Sequence, residues 1–341
     1  MYRVLFVTGG ARRSMASARL RGIYVSKLLN DANAELSSEF SHHCSPGYDI
    51  YIFVKKIPPD FELLISKIRA ENRSVKIFYD LCDNYFDGYS GLDADLKRQE
   101  TISFSNMVDA VIVPSKKLKE VASRYLDTLI WIIPDLTALD PRLCAPIKLK
   151  EKIFLWILKR HLSKAIKFPP ILWFGHIGGE GISGGIADLI NFLKFLDKYD
   201  DLNGLKVVAF SYKKKCQKII PKFKNLELIC FPWSEALHPK VLNLFNYCVL
   251  PIRLDRFTLT KSSNRFIDAL SSAAVVVSSP LPSYLDEEVD GHCYFEGDFS
   301  QMAFRLKSLL SDEFLPRKNI DVEYRNDVTI EMYLNLFEAT Q

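Results

Sequence analysis

In the run KSSNRFIDAL, Lys261, Asn264, Arg265 and Asp268 stand at i, i+3, i+4 and i+7, a spacing that puts them on roughly one face of a helix. Unpaired amides and the dipole at such a helix start attract anions. The amides of Ser262 and Ser263, with Lys261 or Arg265, would therefore hold a phosphate or diphosphate, and Asp268 would accept hydrogen bonds from ribose hydroxyls. The same residues would equally make a solvated face whose internal ion pair contributes only about 0.3–0.5 kcal/mol. What separates the two is position: the helix follows directly on YCVLPIR and precedes AVVVSS, two strand-like runs. That order turns its N-terminus toward the ligand crevice of an open α/β sheet.

Three further groups have residue types suited to chemistry. The glycine-rich GHIGGEGISGG, residues 175–185, sits between a strand and a helix, so bare backbone at Gly175 and Gly178 could approach a phosphate or sugar closely. It lacks the GxGxxG spacing and would otherwise be a surface turn, and His176, a lone histidine, is expected to be structural. In VKIFYDLCDNYFD, Asp80, Asp83 and Asn84 come straight off a strand. A carboxylate there would act as general base on a hydroxyl or position it, Asp83 before Asp80, unless Asp83 merely caps a turn. The loop GGARRSMASARLRG joins Gly9 and Gly10 to Arg12, Arg13, Arg19 and Arg21. Arginine suits bidentate recognition of phosphate, which makes Gly10 and Arg19 binding candidates, the alternative being an exposed basic loop.

These groups need a frame that brings strand ends together, and the pattern supplies one. Strand-like runs at 3–8, 50–54, 75–79, 110–113 and 129–133 alternate with helical patterns at 18–29, 61–71 and 116–125, with Ser115 placed as the N-cap of the last. The second half repeats the layout, with strands at 171–174, 206–210, 226–230, 247–251, 274–278 and 293–295 and helices at 185–197, 239–246, 262–272 and 299–310. This is the pattern of parallel sheets with crossover helices. A length of 341 residues suits two domains. The proline-punctuated stretch between them gives an N-terminal domain over 1–145, a linker or helix over 146–169, a C-terminal domain over 170–320, and a final helix over 321–341 that crosses back to the first domain.

Composition limits the partners. A net charge of +4 is too small to argue for nucleic acid. The start MYRVLFVTGG runs into a strand without a secretory n-region, and no apolar run is long enough to span a bilayer, so a cytoplasmic location is expected. Seven cysteines lie far apart without a CxxC pair and are expected to be reduced, mostly buried thiols. The lysine-flanked apolar segment 148–167 would lie on an anionic membrane as an interfacial helix, or pack its apolar face at the domain junction.

The runs NLELICFPWSEALHPKVLNLFNYCVLPIR and KSSNRFIDALSSAAVVVSSPLPSY resemble the C-terminal signature of GT-B glycosyltransferases, especially those of family 4. ILWFGH is similar to the opening strand of their donor domain, and RVLFVTGG with SARLRG to their N-terminus. The resemblance implies two Rossmann-like domains facing a central cleft and a hexosyltransferase-type reaction. A sugar would pass from a nucleoside-diphosphate sugar, held mainly by the C-terminal half, to a glycan or lipid-linked acceptor. It further implies no metal, no cofactor beyond the donor substrate, and a setting in bacterial surface-polysaccharide synthesis, in the cytoplasm or at the inner face of the membrane. Family 4 members carry two glutamates eight positions apart where this chain has Thr260 and Asp268, and an Arg and a Lys after the glycine turn that have no match here. A nucleotide-sugar 2-epimerase on the same scaffold and a non-catalytic nucleotide-sugar-binding protein are the alternatives.

Overall fold

The computed structural model describes residues 2–9, 13–163, 167–178, 184–211, 220–272, 275–287, 293–310 and 320–340. The chain forms two compact units. One comprises Met1–Thr137, Leu259–Asn264 and Val322–Gln341, the other Ala138–Thr258 and Arg265–Asp321. The first segment thus ends at Thr137 rather than at 145, and a short piece of the second half, 259–264, belongs with the first unit.

The first unit holds a six-stranded sheet in the order β2-β1-β3-β4-β5-β6, every pair parallel. Its strands are β1 (Tyr2–Thr8), β2 (Leu36–Ser41), β3 (Ile50–Val54), β4 (Lys76–Asp80), β5 (Ala110–Val113) and β6 (Ile130–Ile132). Side chains alternate between its faces. Leu5, Val7, Tyr51, Phe53, Ile77 and Tyr79 enter one apolar core with Phe104 of the helix Ala94–Met107. The opposite face takes the C-terminal helix Val322–Ala339, where Phe6 meets Tyr333 edge-on at 6.1 Å and Phe78 stacks on Phe337 at 6.2 Å. Asn326 pins that helix by accepting from Thr137 N at 2.9 Å and donating to Thr137 O at 3.2 Å.

The second unit repeats the plan in the order β12-β11-β10-β7-β8-β9, again all parallel. Its strands are β7 (Ile171–Phe174), β8 (Leu205–Ser211), β9 (Leu226–Pro232), β10 (Tyr247–Leu250), β11 (Val275–Ser278) and β12 (Cys293–Phe295). Ile171 and Trp173 join a core with the helices Ile186–Leu196 and Phe299–Leu309, while Leu172 and Phe174 join another with His238–Leu242 and Asn264–Ser272. Covering both faces makes each strand an apolar run, as in any doubly wound sheet.

Two expectations need correction here. The helix Leu149–Leu162, expected as a linker or a filler of the domain junction, buries Leu158 in the second unit's own core with Phe154, Leu155 and Leu162 packed beside it. Among the described residues five cysteines are free, but Cys230 is disulfide-bonded and Cys144 is exposed. No described helix is long and apolar enough to cross a membrane, and no group of metal-binding side chains forms among the described residues.

Candidate functional site

In the first unit the carboxyl ends of the strands converge on six charged side chains. Asp80 ends β4 and is fully enclosed. Arg21 Nε donates to its Oδ1 and Oδ2 at 2.7 and 2.8 Å, and Arg21 Nη1 donates to Ile133 O at 3.0 Å and Asp135 Oδ1 at 2.7 Å. Tyr333 adds a hydroxyl 3.4 Å from Asp80 Oδ2. Arg21 reaches inward from a π-turn, Arg19–Ile23, inserted between the helical stretches Ala16–Ala18 and Tyr24–Ala32. Gly22 allows this close approach, because a Cβ there would stand 2.8 Å from Thr8 Cγ2. Burial pushes the Asp80 carboxyl up to about 6 even though Arg21 pulls the other way. Arg21 Nη2 is buried with no hydrogen-bond partner.

Asp83, buried three residues on, receives the ammonium groups of Lys55 and Lys261 on its two oxygens. Burial alone would raise its proton affinity, but the two cations prevail and hold it well below the usual carboxylate range. Burial likewise disfavours the charged Lys55, and Asp83 outweighs that, raising the lysine above its ordinary value. Lys55 follows β3 in a left-handed conformation, φ 53°, with its amide donating to Asp80 O at 2.9 Å. A non-glycine residue held there stores about 1–3 kcal/mol of strain, a cost found most often at functional positions. The turn after β4 is capped by Asn84 rather than Asp83: Asn84 Oδ1 accepts from Phe86 N at 3.1 Å and Asp87 N at 3.3 Å.

The loop 259–264 supplies Lys261 and Ser262. Ser115 Oγ donates to Thr260 O at 2.8 Å while accepting from Leu118 N as the expected N-cap. Ser262 Oγ donates to Asp135 Oδ2 at 2.6 Å. Lys261 and Ser262 therefore meet Asp83 and, through Asp135 and Arg21, Asp80. The helix begins at Asn264, so Ser263 lies just before its first turn and Ser262 outside it, where both were expected inside. Arg19 Nη1 donates to Arg13 O at 2.7 Å, and Gly10 lies outside the described residues.

The remaining candidates belong to the second unit. Arg265 donates from Nη2 to Phe174 O at 2.6 Å and from Nη1 to Gly184 O at 3.1 Å, with its guanidinium 5.7 Å from the centre of the Trp173 ring. A Cβ at Gly175 would stand 3.0 Å from Arg265 Nη2, so that glycine makes room for the arginine. Gly178 and Gly184 have φ of 84° and 86°, left-handed values that favour glycine. Asp188 Oδ2 holds the far end of the turn, accepting from Gly184 N at 2.6 Å and Arg253 N at 3.0 Å. Arg265 thus ties the end of β7 at Phe174 to Gly184 at the far end of the glycine turn.

Asp268 is buried against His238, with Oδ2 2.9 Å from Nε2. Trp233 Nε1, which can only donate, lies 3.2 Å from His238 Nδ1. Nδ1 is therefore the acceptor, and Nε2 carries the proton it donates to Asp268. The carboxylate expected to meet ribose is enclosed in a Trp–His–Asp chain.

Sequence reading missed Lys55, Asp135, His238 and Tyr333. Lys55 and Asp135 had a usable signal, since Lys55 follows directly on β3 and Asp135 stands three residues past the end of β6. His238 and Tyr333 sit within helices that carry no local mark of a site.

No family model and no curated protein matches the chain. Among solved structures it is similar to HepE of Anabaena, determined in complex with UDP, at 11% identity and a TM-score of 0.55 over 99% of this chain and 100% of that one. It is similar to the trehalose-6-phosphate synthase OtsA at 11% identity and a TM-score of 0.54, covering 94% of this chain and 75% of that one. The S. aureus MnaA–UDP structure matches at 14% identity and a TM-score of 0.52, over 98% of each chain. With two parallel six-stranded sheets flanked by helices, the chain has the GT-B fold of these proteins.

Proposed function

We propose that the protein is a glycosyltransferase that takes a sugar from a nucleoside-diphosphate sugar and passes it to a hydroxyl of a glycan or lipid-linked acceptor. The observation that carries this reading is Lys261, held with Lys55 on Asp83 at the carboxyl edge of a parallel sheet, where α/β folds bind their ligands. Glycosyl transfer needs the departing diphosphate stabilised and the acceptor hydroxyl positioned and deprotonated. An ammonium has three donors, so Lys261 can hold Asp83 and a phosphate oxygen together. Ser262, whose hydroxyl is held on Asp135, adds a backbone amide for the same group. Of the two candidate carboxylates, Asp83 is held well below the usual range by two lysines and fixes them in return, while Asp80 is enclosed by Arg21 and Tyr333 and anchors the cluster. Likeness of fold to proteins solved with UDP supports a uridine donor as the first to try.

A second reading, a nucleotide-sugar-binding protein without transfer, draws on the enclosure of Asp80 and the commitment of Asp83 to two lysines. The donor role of Lys261 is tested by calorimetric binding of UDP and uridine to wild type and Lys261→Ala. Loss of a charge-assisted hydrogen bond should weaken UDP by about tenfold or more and leave uridine nearly unchanged. Equal weakening of both would remove Lys261 from the diphosphate site.

A further inference from the structure

The helix Leu149–Leu162 carries two apolar faces, and the core uses only one. Phe154, Leu155, Leu158 and Leu162 pack inward. At about 100° per residue, Leu149, Ile153, Trp156 and Ile157 form a stripe on the other side. They are 74%, 51%, 59% and 37% exposed.

Charge on this helix is distributed to match. Lys150, Lys152 and Lys159 flank the stripe and Arg160 falls in line with it, all of them exposed. Arg160 lies 5.5 Å from the centre of the Trp156 ring. With Trp156, Ile157 and His161 it lines a half-open hollow of about 250 Å³. The one acidic residue of the helix, Glu151, is turned away and occupied: it accepts from Lys148 N at 2.8 Å and from Ser234 Oγ at 2.7 Å.

We infer that this face attaches the protein to an anionic lipid bilayer. Aliphatic chains and an indole ring enter the boundary between headgroups and acyl chains, while lysine and arginine stems reach out to lipid phosphates on either side. A second copy of the chain is a poorer occupant, because two such faces would bring their rims of like charge together. A polyanion without an apolar phase would meet the cations and leave the stripe in water. The attachment is independent of which sugar reaction the site performs.

The test is sedimentation of the full chain with vesicles of phosphatidylcholine alone and of phosphatidylcholine mixed with phosphatidylglycerol. Binding should be at least about tenfold tighter to the anionic vesicles and should weaken as salt is raised. A blue shift of tryptophan emission should accompany it and be reduced in Trp156→Phe. The pair Ile153→Glu and Trp156→Glu should abolish binding with no change in melting temperature, since both side chains are exposed. Lys150→Glu with Lys152→Glu and Lys159→Glu should remove the preference for anionic lipid. Failure of the wild type to bind either vesicle, or binding that survives the Ile153 and Trp156 substitutions, would overturn the inference. So would a concentration-dependent dimer that those substitutions dissolve, which would make the face a self-interface.

Discussion

Arg21 and Asp80 form an ion pair sealed from water, with Nε 2.7 and 2.8 Å from the two carboxylate oxygens. Burying such a pair gains little over an apolar packing, but breaking it leaves a charge uncompensated, at a cost of about 3–5 kcal/mol. The pair is best read as the fixed post around which Asp135, Ser262 and Tyr333 are arranged.

Asp80 gives stability a pH signature. Its carboxyl is pushed up to about 6 from an ordinary 3.8, so between those values the folded chain holds more proton than the unfolded one. The contribution of Asp80 is therefore full below about pH 4 and lost as pH rises through about 6, a swing of about 3 kcal/mol. Asp83 runs the other way: its depressed carboxyl stabilises above the ordinary carboxylate range and that contribution is lost in acid. Urea unfolding across this range should show the decline between pH 4 and 6 flattened in Asp80→Asn relative to wild type. Parallel pH profiles for the two proteins would contradict the assignment.

Lys55 and Lys261 share one buried carboxylate, so their effects on stability should not add. Either Lys55→Ala or Lys261→Ala leaves Asp83 with one cation, and the double replacement leaves it with none. The double variant should lose about 1 kcal/mol or more beyond the sum of the singles, measured as a double-mutant cycle by chemical denaturation. Additive losses would mean that the two lysines do not act on a common partner.

Asp268 is committed to His238, and Trp233 fixes the ring that donates to it. Asp268→Asn should therefore lower stability while keeping the wild-type ratio of affinities for UDP and its 2′,3′-dideoxy analogue. A ratio that collapses toward one in the variant would restore Asp268 as a ribose-binding group.

The sheets were legible because period and punctuation agreed: the run 171–174 is β7, and 226–230 lies within β9 (Leu226–Pro232). Strand β2 (Leu36–Ser41), which reads LSSEFS, went unseen because an edge strand need not be apolar throughout. The helix Ala94–Met107 was missed because its outer face is too polar for a clear apolar period. At the site, residue types were readable but partners were not. Nothing local says that Lys261 meets Asp83 or that Asp268 meets His238, since each pair closes over a long stretch of chain. Arg21 was hidden for a different reason: it counted as one arginine among four until a π-turn directed it inward.

The most direct measurement is release of nucleoside diphosphate from a panel of nucleotide sugars, with and without added glycan and lipid-linked acceptors, followed by analysis of the sugar products. A transferase should consume one donor preferentially, slowly in the absence of acceptor and much faster with the right one, and the sugar should be recovered on the acceptor. Lys261→Ala should slow release in proportion to its loss of diphosphate stabilisation. A donor epimerised without diphosphate release, or bound and returned unchanged across a panel that includes every common base, would contradict glycosyl transfer.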